Sequence, residues 1–264
     1  MLPSKKLYKF SGFTEYSISA LASSSVWFSP IKEMNDPFEA FCTLKQLSDE
    51  EKKSQYLEFA KALEDDSSIV DKRYQKNPQE FMDKTELLVN QAFSYSKSRY
   101  ESLSVFSASM DTLESPPYAC MLMWSHYGKA LSGYCLEFDA EELYSSIKQH
   151  NNCVFWGVVD YISSPHEIEP KSLFSSNEYD YIKPILCKHR NWGYEQELRL
   201  LSNINGLHRF SKESLKSIYF GEKMPKGHIN ILRAIVNTFF PDVKMFEVAL
   251  CSDGYNVKVQ EIKI

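Results

Sequence analysis

Two glutamates and an arginine recur at every second position of the segment NWGYEQELRLL, residues 191–201. The segment is predicted to be a strand, and side chains two apart on a strand share a face, so Glu195, Glu197 and Arg199 would lie together. A carboxylate beside the preceding aromatic residues could hold a flat ring and stabilise a developing positive charge, which is often the largest contribution to catalysis. The alternative is a charged face in which Arg199 pairs with either glutamate and does nothing else.

Two further segments carry residues suited to a binding site. In VWFSPIKEMNDPFE, Ser29 ends a predicted strand before a turn made rigid by Asn-Asp-Pro, so its hydroxyl could face a cleft. In MWSHYG, His126 and Tyr127 lie at a predicted helix end and could bind phosphate or shape a pocket. An ordinary strand with its turn and a buried histidine are the structural alternatives.

Composition excludes several classes of function. The chain has 264 residues, 43% hydrophobic and 25% charged, as in an ordinary globular protein, and its net charge of -5 gives no general attraction to nucleic acid. It has no glycine-rich phosphate loop, and its six cysteines lack metal-ligand spacing, so no metal is expected. No apolar run is long enough to span a membrane, and no signal peptide is present, which predicts a cytoplasmic protein without membrane contact.

The order of the predicted elements indicates an α+β fold with a mixed or antiparallel sheet. Short strands are predicted near 7–10 and 24–29, separated by a helix that Thr14 would cap. Helical patterns then dominate from about residue 45 to 100, where Asn77 and Pro78 form a helix start. Strand patterns return after residue 102. We expect one domain, residues 1–264, with a helical insertion at about 45–100.

Several of these pieces together resemble a known family. In order, LYKF with its helix, WFSP with NDPFE, FSAS, MWSHYG, GYCLEF and WGYEQELRLL resemble a bacterial family known only as domain of unknown function 2971. The likeness runs along nearly the whole chain, and the final segments IYFGEKMP and YNVKV also fit it. A family of unknown function implies no mechanism.

The opening layout is also distantly similar to ADP-ribosyltransferase-like domains. That superfamily carries His or Arg on its first strand, Ser or Tyr on its second, and Glu on a late strand, often as Glu-x-Glu. By position these motifs would fall on Lys9, Ser29 and Glu197, with Glu195 as the partner acid. Lys9 departs from the motif because a lysine lacks the planar fork of arginine.

The resemblance implies the fold of that superfamily, NAD as co-substrate, loss of nicotinamide through an oxocarbenium-like state, and transfer of ADP-ribose to a macromolecule. Glu197 would bind ribose and stabilise the positive charge, Ser29 would support it, and Glu195 would orient or deprotonate the acceptor. The remaining candidate NAD contacts are stacking aromatics and groups for phosphate or ribose: Tyr8, Trp27, Phe28, Tyr194, Lys9, His126 and Tyr127.

Three functions follow as hypotheses. The first is an ADP-ribosyltransferase acting on nucleic acid or protein, as a bacterial toxin or phage-defence effector, with an antitoxin or other regulatory partner. The second is a non-catalytic module that binds a nucleotide or a protein. The third, a metal-dependent nuclease or phosphoesterase, would need clustered carboxylates or histidines, whereas the acids of this sequence are scattered.

Overall fold

The chain divides into two compact units, each assembled from separate stretches of sequence. The first takes in residues 1–30, 104–159 and 191–264, and the second takes in residues 31–103 and 160–190. The computed structural model describes residues 2–111, 115–151, 154–174 and 182–262. None of the helices in these described ranges has the length and apolar character needed to cross a membrane.

Strands and helices are numbered in chain order within the described residues. The strands are β1 (Lys6–Ser11), β2 (Ser25–Pro30), β3 (Cys42–Leu44), β4 (Ser104–Met110), β5 (Tyr134–Asp139), β6 (Val154–Val158), β7 (Asp160–Ile162), β8 (His166–Ile168), β9 (Cys187–His189), β10 (Glu197–Ser202), β11 (Gly206–Arg209), β12 (Leu215–Gly221), β13 (Lys244–Leu250) and β14 (Val257–Ile262). The α-helices are α1 (Glu15–Ala22), α2 (Asp49–Ala62), α3 (Ser67–Lys76), α4 (Pro78–Glu101), α5 (Met121–His126), α6 (Ala140–His150) and α7 (Lys226–Phe239).

The second unit contains the predicted helical insertion. Helices α2, α3 and α4 follow one another here, and the unit also holds two short parallel strand pairs, β3 with β8 and β7 with β9. Asn77 accepts a hydrogen bond from the backbone of Glu80, and Pro78 occupies the first turn of α4, so this predicted helix start is confirmed. Helix α3, capped by Asp66, was not predicted, because its short sequence has few apolar residues.

The first unit is built on one large sheet, which confirms the α+β class with a mostly antiparallel sheet. Ten strands of the described residues join it, in the order β11-β2-β4-β1-β5-β12-β13-β14, with β10 on the other edge of β4 and β6 beyond β10. Strands β12 and β13 are parallel, and the other pairs are antiparallel. Helix α1 starts as predicted, in a capping box formed by Thr14 and Ser17.

Strand β4 pairs with two strands on the same edge. Strand β2 pairs with β4 at Val105 and Ser104, whereas β1 pairs with it at Ser109 and Met110. The middle of β4 therefore faces a split between β1 and β2. Lys9 of β1 reaches across this split, and its Nζ donates a hydrogen bond to the backbone oxygen of Ser107 at 2.8 Å. The ammonium group thus satisfies a carbonyl that has no strand partner there.

The two faces of the sheet differ in character. One face is apolar and carries the main hydrophobic core, which includes Leu7, Phe106 and Leu198 and packs against residues of α6 and α7. Because successive side chains alternate, the residues between these positions point to the opposite face. That opposite face carries hydroxyls, carboxylates and aromatic rings, and Glu197, the acidic candidate on β10, lies on it.

A left-handed turn precedes β5. Lys129, Ala130 and Leu131 have φ angles of 49°, 51° and 70°, in the region that costs non-glycine residues about 1–2 kcal/mol each. The turn is locked by hydrogen bonds from Ala130 N to Trp124 O and from Lys223 N to Leu131 O. Gly221 of β12 packs directly against it, since a Cβ at that position would lie 2.1 Å from the backbone oxygen of Leu131.

Gly221→Ala should therefore destabilise the protein, by at least about 1–3 kcal/mol, because the methyl group must displace the backbone of a strained turn. Urea unfolding measures the loss. Gly227→Ala is the matched control: a Cβ there meets no atom within 4 Å, and this helical position should change stability by no more than about 1 kcal/mol. Equal effects of the two substitutions would show that the close packing of Gly221 is unimportant.

Candidate functional site

The segment before β10 is a turn rather than a strand, which corrects the prediction that Glu195 and Glu197 share one strand face. Residues 190–195 form a 3-10 helix, and β10 begins only at Glu197. Gln196, between them, has a φ of 46°, which no residue of a regular strand adopts. The backbone thus changes direction between the two glutamates, and each carboxylate acquires its own surroundings.

Glu195 lies beside an aromatic cluster. It is 4% exposed, and its Oε1 accepts a hydrogen bond from the hydroxyl of Tyr127, the residue after α5. The His126 ring stacks on the Tyr194 ring, with centroids 5.9 Å apart, and lies edge-on to the Trp192 ring at 6.1 Å. The structure therefore brings together four predicted site residues, His126, Tyr127, Tyr194 and Glu195. The Trp192 ring lies beside them.

The Tyr194 hydroxyl is buried and makes no hydrogen bond with any residue that the structure describes. Burial raises the pKa of Tyr194 to about 12, and the negative charge of Glu195 acts in the same direction. The neutral phenol is therefore maintained throughout the physiological pH range, as an available donor beside a carboxylate.

This shift predicts a loss of stability at alkaline pH. An unfolded tyrosine ionises near pH 10, and the folded Tyr194 near 12, so its contribution is complete below about pH 10 and is lost as pH rises towards 12. Tyr194→Phe should therefore reduce the decline in the urea midpoint between pH 9 and 11.5. Tyr255→Phe, at a fully exposed tyrosine, is the control and should leave the decline unchanged. Equal declines in Tyr194→Phe and the wild type would contradict the prediction.

Glu197 forms a buried ion pair. Arg199 donates from Nε to Glu197 Oε1 at 2.8 Å and from Nη2 to Oε2 at 3.2 Å, and neither side chain is more than 4% exposed. This pairing agrees with the alternative interpretation of the sequence, in which Arg199 forms an ion pair with one of the two glutamates. A guanidinium in this two-pronged geometry also favours the ionised carboxylate.

Removing one member of this pair should cost more stability than removing both. Glu197→Gln keeps the shape but removes the carboxylate charge that pairs with the buried Arg199 guanidinium, at a cost of about 3–5 kcal/mol in the free energy of unfolding. The double substitution Glu197→Leu/Arg199→Met removes both charges and should lose less. Denaturant unfolding compares the two variants. If Glu197→Gln lost less unfolding free energy than the double variant, the prediction would be wrong, because the loss of charge pairing would then not be the main cost.

Glu197 belongs to a row of side chains that crosses three neighbouring strands. By register, Glu197 of β10 lies opposite Ser109 of β4, and Ser109 lies opposite Tyr8 of β1. Paired residues in adjacent strands place their side chains on the same face. Ser107 lies opposite Arg199 in the next row, and its hydroxyl is buried with no hydrogen-bond partner among the described residues.

Ser107 and Ser109 are not among the site residues that the sequence predicted. Both lie in the predicted strand SVFSAS, and their spacing of two residues was a usable signal, because it predicts two hydroxyls on one face. Glu137, which lies opposite Tyr8 on β5, was not predicted either. Glu137 Oε2 accepts a hydrogen bond from the Tyr219 hydroxyl at 2.6 Å, and its Oε1 pairs with Lys6 at 3.0 Å.

The tyrosines around Glu137 are held in their neutral forms. The pKa of Tyr8 is raised, first by burial and then by the negative charge of Glu137. The Tyr8 ring lies edge-on to Tyr118 at 5.9 Å, so the ring is covered and its surface is not available for stacking on a ligand as predicted.

Ser29 and Phe28 do not occupy the positions that were predicted for them. Ser29 lies opposite Val105, four residues from Ser109, so it is displaced from Glu197 by about 13 Å along the sheet. The two side chains therefore do not meet at a shared ligand atom. Phe28 is fully buried against Phe106, with ring centroids 5.9 Å apart, and has no surface with which to stack on a ligand.

The other predicted residues line a separate cavity. Lys9, Trp27 and Ser29 contribute to a cavity of about 390 Å³ between α1 and strands β1 and β2. In the described ranges, no three His, Cys, Asp or Glu side chains are grouped as metal ligands would be.

Part of the chain matches a protein family whose function is unknown. Residues 123–200 match the profile of a family described as "Protein of unknown function (DUF2971)". The matched part includes most of α5, the left-handed turn, β5, the 3-10 helix of residues 190–195 and the start of β10. It therefore contains both Glu195 and Glu197. No curated protein and no solved structure matches the chain.

Proposed function

We propose that the protein is an NAD-dependent ADP-ribosyltransferase-like enzyme that transfers ADP-ribose to a macromolecular acceptor, a nucleic acid or a protein. The observation that supports this most is the row formed by Tyr8, Ser109 and Glu197 on one face of three adjacent strands. The resemblance to this superfamily implied Lys9 on the first strand, Ser29 on the second and Glu197 on a late strand. In the row, Tyr8 and Ser109 take the places of Lys9 and Ser29 beside Glu197.

The polar groups of this face suit a ligand rich in hydroxyls and phosphates. Glu197 is kept ionised by Arg199 and can accept a hydrogen bond from a ribose hydroxyl. Among the described residues, the buried hydroxyls of Ser107 and Tyr194 have no hydrogen-bond partner, so each could donate a hydrogen bond to a ligand. An unpaired buried hydroxyl costs free energy until it is bonded, so these groups favour a polar ligand at this face.

Glu195 is proposed to act on the acceptor. Its carboxylate is fixed by the Tyr127 hydroxyl at the edge of the aromatic cluster, where it can orient an acceptor hydroxyl or amine and take up its proton. NAD would supply the ADP-ribosyl group, with nicotinamide as the leaving group. The exposed ring of His126 and the partly exposed rings of Trp192 and Tyr194 offer flat surfaces for a planar ring.

Burial sets a requirement on this mechanism. Ser109 is 4% exposed and Glu197 is 3% exposed, so the substrate reaches them only when the side chains above them move aside. An enzyme that closes over its substrate excludes water in the same way, and water is the competing acceptor in this reaction.

A non-catalytic nucleotide- or protein-binding module is the second candidate. The buried two-pronged pair of Glu197 and Arg199 favours it, because both oxygens of the carboxylate already accept hydrogen bonds from the arginine. In that case the aromatic cluster would bind its partner, and the glutamate would only hold the sheet together.

Release of nicotinamide from NAD by the purified full chain, with acceptor-containing lysate, tests the proposal. Ser109→Ala should reduce the rate by about 10²-fold or more, within the range attributed to one positioned polar group in an active site. Ser29→Ala is the matched control, since it removes the same hydroxyl from a neighbouring strand outside the row. It should leave the rate within about twofold.

The outcomes separate the two candidates. Equal rates of nicotinamide release in the Ser109→Ala and Ser29→Ala proteins would show that the row of Tyr8, Ser109 and Glu197 takes no part in the reaction. Saturable binding of NAD without nicotinamide release or labelled acceptor, in a protein that unfolds cooperatively, would favour the binding module.

A further inference from the structure

A small cavity lies within the second unit, where the loop between β2 and β3 meets the C-terminal end of α4. Its lining residues come from positions 31–41 and 97–101, and its volume is about 290 Å³, at the lower end of the range for small-molecule sites. The loop contains the segment NDPFE, which the sequence indicated to be a rigid turn. The transferase chemistry proposed for the first unit makes no use of this segment.

Two hydrogen bonds fix the position of Asp36 in this loop. Its Oδ1 accepts a hydrogen bond from the backbone N–H of Phe38 at 3.0 Å, and its backbone oxygen accepts one from the N–H of Glu39 at 3.1 Å. Pro37, between them, has a φ angle set by its own ring. An aspartate that bonds to the backbone two residues further on is a common way to build a turn. The turn therefore holds the Asp36 carboxylate in place before any ligand binds.

The second carboxylate oxygen of Asp36 is not used by the turn. Asp36 lines the cavity and is only 4% exposed, yet its Oδ2 has no hydrogen-bond partner among the described residues. A buried carboxylate oxygen without a donor costs free energy, because it has lost its water and gained nothing in return. A ligand that brings an N–H group into the cavity would recover this free energy.

The charges that line the cavity differ with depth. Asp36 is buried and Glu39 is half-buried, whereas Lys32, Lys97 and Glu101 are all exposed. A charge in the interior acts through a low dielectric and is felt strongly, but charges at the surface are weakened by water and salt. The interior of the cavity is therefore negative, and it favours a cation although two lysines lie at its rim.

The remaining lining suits an organic cation better than a metal ion. Ile31, Met34, Phe41 and Tyr100 supply apolar and aromatic surface, against which an alkyl chain can pack. An ammonium group also gains energy beside an aromatic face. A divalent metal ion would require several oxygen ligands, and within the described ranges no three His, Cys, Asp or Glu side chains are grouped to provide them.

We propose that this cavity binds a small primary amine. The ammonium group of the ligand donates a hydrogen bond to Asp36 Oδ2, and its alkyl chain packs against Ile31 and Met34. The site concerns the second unit alone and does not depend on the activity proposed for the first.

Titration of the purified full chain with n-butylamine, followed by ligand-observed NMR, tests this site. 1-Butanol has the same alkyl chain without the charge, and it should bind at least about tenfold more weakly, the difference expected from one charge-assisted hydrogen bond. Asp36→Asn should weaken butylamine binding by about tenfold or more, because asparagine keeps the oxygen that accepts from Phe38 and removes only the charge and the free oxygen. Asp65→Asn, at an exposed acid of the same unit outside the cavity, is the matched control and should alter binding less than about twofold.

Lys97→Met distinguishes a cation from an anion as the ligand. It removes a like charge from the rim, so butylamine should bind the variant as tightly as the wild type or more tightly. The assignment would be overturned by any of three results: butylamine that binds no better than butanol, affinity that survives in Asp36→Asn, or affinity that falls in Lys97→Met. Cooperative urea unfolding checks that each variant is folded. If Asp36→Asn does not fold, the comparison of butylamine with butanol on the wild type decides the question.

Discussion

The candidate site and the cavity beside β1 and β2 both depend on the hydrogen bonding of one strand. Strand β4 is paired with β10 along its whole length on one edge, and on the other edge it is shared by β1 and β2 at opposite ends. Backbone groups of a buried strand must be satisfied, and in the middle of this shared edge a lysine ammonium takes part of that role. The cavity between α1, β1 and β2 borders the split, and the pairing with β10 aligns Ser107 and Ser109 with the Glu197–Arg199 pair.

In the first unit, the buried carboxylates Glu137 and Glu197 each have a cationic partner. Glu197 is matched by Arg199, and Glu137 is matched by Lys6 and a tyrosine hydroxyl, so neither carboxylate lies uncompensated in the sheet. An unpaired charge in such a place would be expensive, whereas a paired one retains its ionisation. The polar face can therefore be both a structural layer and a place where a ligand finds ionised oxygens and unsatisfied hydroxyls.

Much of the local structure could be predicted from sequence, and most of the site geometry could not. The helix starts at Thr14 and Asn77 followed from capping residues, and the aromatic cluster of His126, Tyr127 and Tyr194 was assembled from candidates named beforehand. The alternation NWGYEQEL suggested a continuous strand, but a positive φ at Gln196 ended that pattern. Nothing in the local sequence requires this, because glutamine favours no such conformation by itself.

The sequence by itself determined the α+β class and the helix starts at Thr14 and Asn77, since these depend on periodicity and capping within short windows. Only the tertiary structure decided that Ser109 rather than Ser29 lies opposite Glu197, and that Lys9 bridges a split in the sheet. The physical reason is register. Hydrogen bonds between strands almost ninety residues apart choose which side chains meet, and shifting a pairing by one residue moves every side chain to the other face.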